Sequence, residues 1–135
     1  MGIETSVRSV MTKGIVSVKT VDPVKKAIGL MVEKDIGAVI VTEEGKPVGI
    51  LTERDIMRKV CPEELCSREV KVGVIMSKPL ITIEASATLG EATLLMTEKD
   101  IRRLLVVERG KVVGIVTQKD VMKGTLETFM ALTAI

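Results

Sequence analysis

The heptapeptide Gly49-Ile50-Leu51-Thr52-Glu53-Arg54-Asp55 returns as Gly114-Ile115-Val116-Thr117-Gln118-Lys119-Asp120, and no other feature of the sequence constrains the fold as strongly. The copies lie 65 residues apart, and the same offset holds well outside them. It carries Met11 onto Met76, Lys13 onto Lys78, Ala27 onto Ala92, Met31 onto Met96 and Gly45-Lys46 onto Gly110-Lys111. It also carries Glu33-Lys34-Asp35-Ile36 onto Glu98-Lys99-Asp100-Ile101 without a gap, so the chain is one unit written twice. A unit of about 60 residues buries too little surface to be secure alone, and the two copies are expected to fold against each other.

Within the first copy, Ile3, Val7, Val10 and Met11 have helical spacing and predict a short leading helix. Ile15 to Val18 reads as a strand, and Asp22-Pro23 opens a helix as N-cap acid and first-turn proline. Val24, Ala27, Ile28, Met31 and Val32 form its apolar stripe. The β-branched run Ala38 to Thr42 suits a strand covered on both faces, and Glu43 to Lys46 is a polar turn into its hairpin partner, Val48 to Leu51. Gly49 within that strand marks a close approach of backbone or ligand. Asp55 to Lys59 closes the unit as a second helix.

The second copy repeats this order: a helical turn at Val72 to Met76, a strand at Leu80 to Ile83, a helix at Thr88 to Lys99 and a hairpin from Arg103 to Thr117, before a closing helix. Two α+β repeats are expected, residues 1–60 and 61–135, joined by the short charged stretch from Cys61 to Arg68. Leu126 to Ile135 has no counterpart in the first copy. Its Leu126, Phe129, Met130 and Leu132 are expected to fold back on the module, with a subunit interface as the alternative. The matched methionines (Met11 with Met76, Met31 with Met96, Met57 with Met122) read as core filling.

Thr52 and Asp55, like Thr117 and Asp120, have the spacing of a helix capping box. The residues can do no more than satisfy orphan backbone donors. The same geometry also suits a ligand, because a helix N-terminus attracts phosphate and a carboxylate there can accept both vicinal hydroxyls of a ribose. Local chemistry does not separate the two readings.

Composition removes several function classes. The chain has no histidine, tryptophan or tyrosine, and Phe129 is its one aromatic residue. The commonest general base and metal ligand is therefore missing, and bases cannot stack on rings as in most single-strand binders. With 20 basic against 18 acidic residues, the net charge of +2 leaves no footprint for nucleic acid or an anionic membrane. No nucleophile is paired with a base and no phosphate-cradling glycine loop occurs, so an enzymatic function ranks last. Cys61 and Cys66 are too few for a zinc site without ligands from a second chain, and reduced thiols are the default for a chain without secretory features. No apolar run reaches the length of a membrane span, and a cytoplasmic location is expected. Met1 to Ser6 fits the loose N-myristoylation pattern, which is short enough to arise by chance.

A strand-helix-strand-strand-helix unit ending in Gly-x-x-Thr-x-x-Asp and present twice resembles the CBS domain in its tandem form, the Bateman module. The resemblance covers all but the C-terminal tail. It implies two repeats packed through their sheets with pseudo-twofold symmetry, a homodimer built through helices, and clefts that take AMP, ADP or ATP, with S-adenosylmethionine or NAD in some members. No cofactor is required. Carried onto this chain, one site joins Thr52, Arg54 and Asp55 with Leu80, Ile81, Ile101, Arg102 and Arg103. The other joins Thr117, Lys119 and Asp120 with Ile15, Val16, Ile36, Gly37 and Ala38. The aspartate would hold ribose, the threonine ribose or phosphate, and the strand start adenine and phosphates.

The sites differ in charge: Arg102 and Arg103 stand where the first copy has Gly37 and Ala38. Guanidinium forks grip phosphate bidentately, so the Asp55 site is expected to be the better nucleotide site unless these arginines are solvated or pair with Glu98 and Asp100. The leading expectation is a non-catalytic adenylate sensor acting on an undetermined protein partner, and the alternative is a structural module whose clefts stay empty.

Overall fold

A computed structural model of the chain describes residues 5–60, 69–78 and 80–134. The Cys61 to Arg68 stretch with both cysteines, the start of the myristoylation pattern, Ile3 and Ile135 lie outside the described residues. The elements run α1 (Val7–Val10), β1 (Ser17–Lys19), α2 (Val24–Lys34), β2 (Ala38–Glu43) and β3 (Lys46–Thr52). The next helix, α3 (Glu53–Asp55), runs on as a π-helical turn, Ile56–Val60. The second half has α4 (Val72–Ile75), β4 (Thr82–Glu84), α5 (Leu89–Lys99), β5 (Arg103–Glu108), β6 (Lys111–Thr117) and α6 (Gln118–Thr133).

Each repeat contributes a three-stranded sheet in which a short parallel strand flanks an antiparallel hairpin, in the order β1-β2-β3 and β4-β5-β6. Val39, Ile40 and Val41 are consecutive and all buried, as are Leu104, Leu105 and Val106, so both central strands are covered on two faces as the sequence predicts. The hairpins turn through Glu44-Gly45 and Arg109-Gly110, all four residues at positive φ. That is the two-residue turn whose twist matches its strands, and glycine at the second position keeps its strain low.

The compact units do not follow the repeats. One holds residues up to Ile15 together with those from Ile81 onward, and the other holds Val16 to Leu80. The leading segment of each repeat is thus built into the unit formed by the other repeat's sheet. In the first unit, Val7 N–H donates to Ala87 O (2.8 Å), Arg8 N–H to Ala85 O (2.9 Å) and Leu89 N–H to Thr5 O (3.0 Å). The equivalent bonds in the second run from Val72 to Asp22 (2.8 Å), Gly73 to Thr20 (2.9 Å) and Val24 to Val70 (2.7 Å). Val7 and Val72 are fully buried in their respective cores, each side chain contributing about 2 kcal/mol. A four-residue helix has no stability of its own, so these cores are what hold α1 and α4 helical.

Three local expectations change. Asp22 does not cap α2, whose preceding residue is Pro23. It closes the turn before it, Oδ2 accepting Lys19 N–H at 2.8 Å. Met31 and Met96 fill the cores, but Met57 and Met122 are 69% and 64% exposed. The tail does not fold back. It prolongs α6, leaving Leu126, Phe129, Met130 and Leu132 more than half exposed. Gly124 is the last residue of α6 buried within the unit, and nothing after it breaks the helix to turn its apolar side inward.

Candidate functional site

Both Thr-x-x-Asp motifs sit at the junction of a hairpin's second strand with the following helix, and both form reciprocal capping boxes. Thr52 Oγ1 accepts Asp55 N–H at 3.2 Å while Asp55 Oδ2 accepts Thr52 N–H at 3.0 Å. In the second copy the corresponding distances are 3.2 Å and 2.9 Å. The structural role of the motif is therefore real in both copies. What distinguishes the copies is the rest of each carboxylate.

Asp55 is 7% exposed and has partners on both oxygens. Thr52 Oγ1–H donates to Oδ2 at 3.0 Å, and Ser77 Oγ–H donates to Oδ1 at 2.6 Å. Lys59, one helical turn on, brings Nζ to 3.2 Å from Oδ1 and donates to Ile75 O at 3.0 Å. Burial pushes this carboxyl's pKa up, but the hydrogen bonds from Ser77, the Thr52 amide and hydroxyl, and Lys59 outweigh burial and hold it below its ordinary value.

Ser77 reaches Asp55 because its backbone is stitched to β3: Ser77 N–H donates to Ile50 O at 2.8 Å and Ile50 N–H returns to Ser77 O at 3.0 Å. Gly49 permits that approach, since a Cβ there would meet Met76 Sδ at 2.7 Å and Ser77 O at 3.0 Å. The close approach that the sequence ascribes to this glycine is to the chain's own backbone.

The second copy keeps the stitch and loses the partners. Thr12 and Ile115 exchange the same two backbone bonds (2.8 and 3.0 Å), and Gly114 lies against Thr12 O, which an added Cβ would meet at 2.7 Å. Thr12 makes no bond to Asp120, and Gly124 stands where the first copy has Lys59. Among the described residues Asp120 accepts only the Thr117 amide, its Oδ1 has no partner, and Thr117 Oγ–H has no acceptor. Asp120 is half-buried, within reach of a solute.

Of the residues nominated for the first site, Thr52, Arg54, Asp55 and Leu80 belong to the unit of Val16 to Leu80, and Ile81, Ile101, Arg102 and Arg103 to the other. For the second site, Val16, Ile36, Gly37 and Ala38 lie in the Val16 to Leu80 unit, while Ile15, Thr117, Lys119 and Asp120 lie in the other. Inside each unit the structure therefore sets the nominated strand starts beside the motif of the same sheet. Ala38 registers with Thr52 and Glu53 N–H donates to Gly37 O at 3.0 Å. Arg103 registers with Thr117 and Gln118 N–H donates to Arg102 O at 2.9 Å. Val16 O and Ile81 O accept Ile40 N–H (2.9 Å) and Leu105 N–H (3.1 Å), two residues beyond the strand starts Ala38 and Arg103. Ile15, Arg54 and Lys119 are exposed, and Ile36 and Ile101 half-buried, packed on their own cores. Leu80 shares a shallow groove with Val48 and Lys78.

Arg102 is exposed and Arg103 half-buried. Neither forms an ion pair among the described residues, so the alternative of pairing with Glu98 and Asp100 is not met there, whereas the solvated alternative holds for exposed Arg102. A cleft of about 460 Å³ between α5 and α6 has Thr97, Asp100, Ile101, Arg102 and Gln118 on its wall. Asp120 does not line it. The motif alone does not point to Ser77 or Lys59; Lys59 stands four residues after Asp55, the spacing of a helical ion pair, whereas Ser77 reaches it only through the fold.

No helix among the described residues is long and apolar enough to cross a membrane, and no group of three metal-ligating side chains occurs among them. The CBS domain profile matches residues 7–61 and 70–127. The chain is similar to the protein MJ1404 of Methanocaldococcus jannaschii, 36% identical over 89% of this chain and 32% of that one. It is also similar to the CBS domain-containing protein YhcV of Bacillus subtilis, 32% identical over 86% and 82%. A solved structure of a protein with CBS domains from Burkholderia ambifaria superposes with a TM-score of 0.84 at 35% identity, covering 91% of this chain and 95% of that one. The chain spans between about a third and about half the length of the archaeal relatives it matches.

Proposed function

The chain belongs to the CBS domain family as a tandem CBS pair, and from that premise we propose that it is a non-catalytic regulatory module that binds an adenosine-containing ligand at the Asp120 motif. AMP, ADP and ATP are the foremost candidates, with S-adenosylmethionine and NAD behind them, and the bound state passes to a protein partner or to a second copy of the chain. The observation that carries the reading is the open Asp120 carboxylate. One oxygen is committed to the cap, and the other, with the Thr117 hydroxyl, remains for ribose hydroxyls. Arg103, beside Thr117 in the sheet register and without an ion-pair partner among the described residues, supplies a fork for phosphate.

This ranking reverses the one that charge alone suggests. The charge of Arg102 and Arg103 favours the Asp55 site, but Asp55 is buried and satisfied, and a ribose would have to displace Ser77 and Lys59 to reach it. For the Asp55 motif the structural reading is the better one: it caps α3 and ties that helix to the segment after α4. A thermal-shift screen with the five ligands tests the function. A dose-dependent rise in melting temperature, about 2.7 kcal/mol of stabilisation at a hundredfold excess over Kd, is expected for wild type and absent in Asp120→Ala. No shift with any of them points instead to a structural module with empty clefts.

A further inference from the structure

The duplicated motif has two carboxylates in equivalent positions, and only one is tied down by side chains from outside its own cap. We propose that Ser77 and Lys59 act together as a built-in occupant of the Asp55 motif, so that the chain takes one ligand where its two repeats would allow two. This inference rests on the adenosine-ligand reading of Asp120 and adds the residues that decide stoichiometry.

A ribose presents an aspartate with two hydroxyl donors on adjacent carbons. Ser77 presents Asp55 with one hydroxyl at 2.6 Å, and Lys59 adds an ammonium at 3.2 Å to the same oxygen, Oδ1. Oδ2 is filled from below by the Thr52 amide and hydroxyl. The occupant is also anchored at both ends: Lys59 Nζ donates to Ile75 O at 3.0 Å, and Ser77 is held to Ile50 by two backbone bonds.

The second copy shows that neither partner is demanded by the fold. With the same backbone stitch and the same capping box, position 12 holds an exposed threonine that leaves Asp120 alone. Position 124 is a glycine packed so closely that a Cβ would meet Val10 Cγ1 at 2.6 Å and Leu89 Cδ1 at 3.0 Å. A side chain there would have to push Val10 and Leu89 aside, so the packing of α1 and α5 against α6 disfavours a lysine at that position. The asymmetry is built into the packing of α6 as well as into the choice of residues.

Calorimetric titration with AMP of wild type, Ser77→Ala/Lys59→Met, and the same double variant carrying Asp55→Ala reads this directly. One equivalent per chain is expected for wild type, two for the double variant, and one again when Asp55 is removed. Two equivalents in wild type, or one in a folded double variant, overturns the occupant while the Asp120 reading stands. Heat in the double variant alone, abolished by Asp55→Ala, upholds the occupant and removes the Asp120 reading. No heat in any of the three with AMP, nor with ADP, ATP, S-adenosylmethionine or NAD in its place, removes both. Should the double variant melt below the assay temperature, Ser77→Ala alone, which leaves Lys59 in place, gives two equivalents with a weaker second site, and a single equivalent there overturns the proposal.

Discussion

Replacing the aspartate of each motif by alanine makes the same chemical change twice in one chain, and the structure assigns the two changes unequal costs. Asp120→Ala removes one acceptor from the N-terminus of α6, the bond to Thr117 N–H, which amounts to about 1 kcal/mol for a helix cap. Asp55→Ala removes the equivalent bond and also leaves Ser77 without its acceptor. A hydrogen bond to a charged group is worth about 1.5–3 kcal/mol net. The lysine pair adds little, since Lys59 is 44% exposed and such pairs contribute about 0.5 kcal/mol. Relief of the burial cost of the carboxylate reduces the total, leaving about 2–3 kcal/mol. For a chain of this size about 4 °C accompanies each kcal/mol, so Asp55→Ala lowers Tm by about 10 °C and Asp120→Ala by about 4 °C. Scanning calorimetry of the two ligand-free variants beside wild type measures both. Equal losses, or a larger loss at Asp120, would refute the asymmetry from which the functional reading starts.

The same network makes stability acid-sensitive. Asp55 has its folded pKa below the ordinary 3.8, so the unfolded chain binds the extra proton first, and the stabilisation present above that value is lost as pH falls through the lowered one. Melting temperatures from about pH 5 to about pH 2 should fall less steeply in Asp55→Asn than in wild type, and parallel curves would contradict this. Gly114→Ala is expected to cost more than Gly49→Ala in urea unfolding. The first drives a Cβ to 2.7 Å from a backbone carbonyl, whereas the nearest obstacle to the second is the flexible Met76 side chain, also at 2.7 Å, so a larger loss at Gly49 would be inconsistent with the packing. Phe129→Glu should leave the chain's own melting temperature within about 1 °C, since the ring is 62% exposed, while light scattering should show any self-association through α6 weakened. A large loss of stability would mean the ring is buried within the chain.

Much of the fold is written locally. The 65-residue offset, the β-branched central strands, the glycine-bearing hairpin turns and the threonine and aspartate at each strand-to-helix junction all act within a few residues, and the sequence places them correctly. The exchange of α1 and α4 is different, because two repeats with the same order of elements and the same apolar periodicity offer each lead-in helix two similar docking surfaces. Val7 matches Val72, and nothing in the apolar pattern tells one surface from the other. Ser77 escapes notice for the same reason: it lies 22 residues from Asp55 and arrives there only through the stitch to Ile50. The Lys59 and Gly124 contrast, by comparison, stands in the aligned repeats. On its own it says little, because a surface lysine is ordinarily of little energetic weight. The charge of Arg102 and Arg103 was legible too, but charge identifies what attracts a phosphate, not whether the neighbouring carboxylate is free.

The most direct measurement is a nitrogen-edited NMR titration of the ligand-free protein with AMP, ADP, ATP, S-adenosylmethionine and NAD in turn, following the amides of both motifs. If Asp120 is the open acceptor, the Thr117 to Asp120 amides shift in saturable fashion while those of Thr52 to Asp55 stay where they were. Shifts centred on Thr52 to Asp55, or no movement at either motif with any of the five ligands, would contradict it.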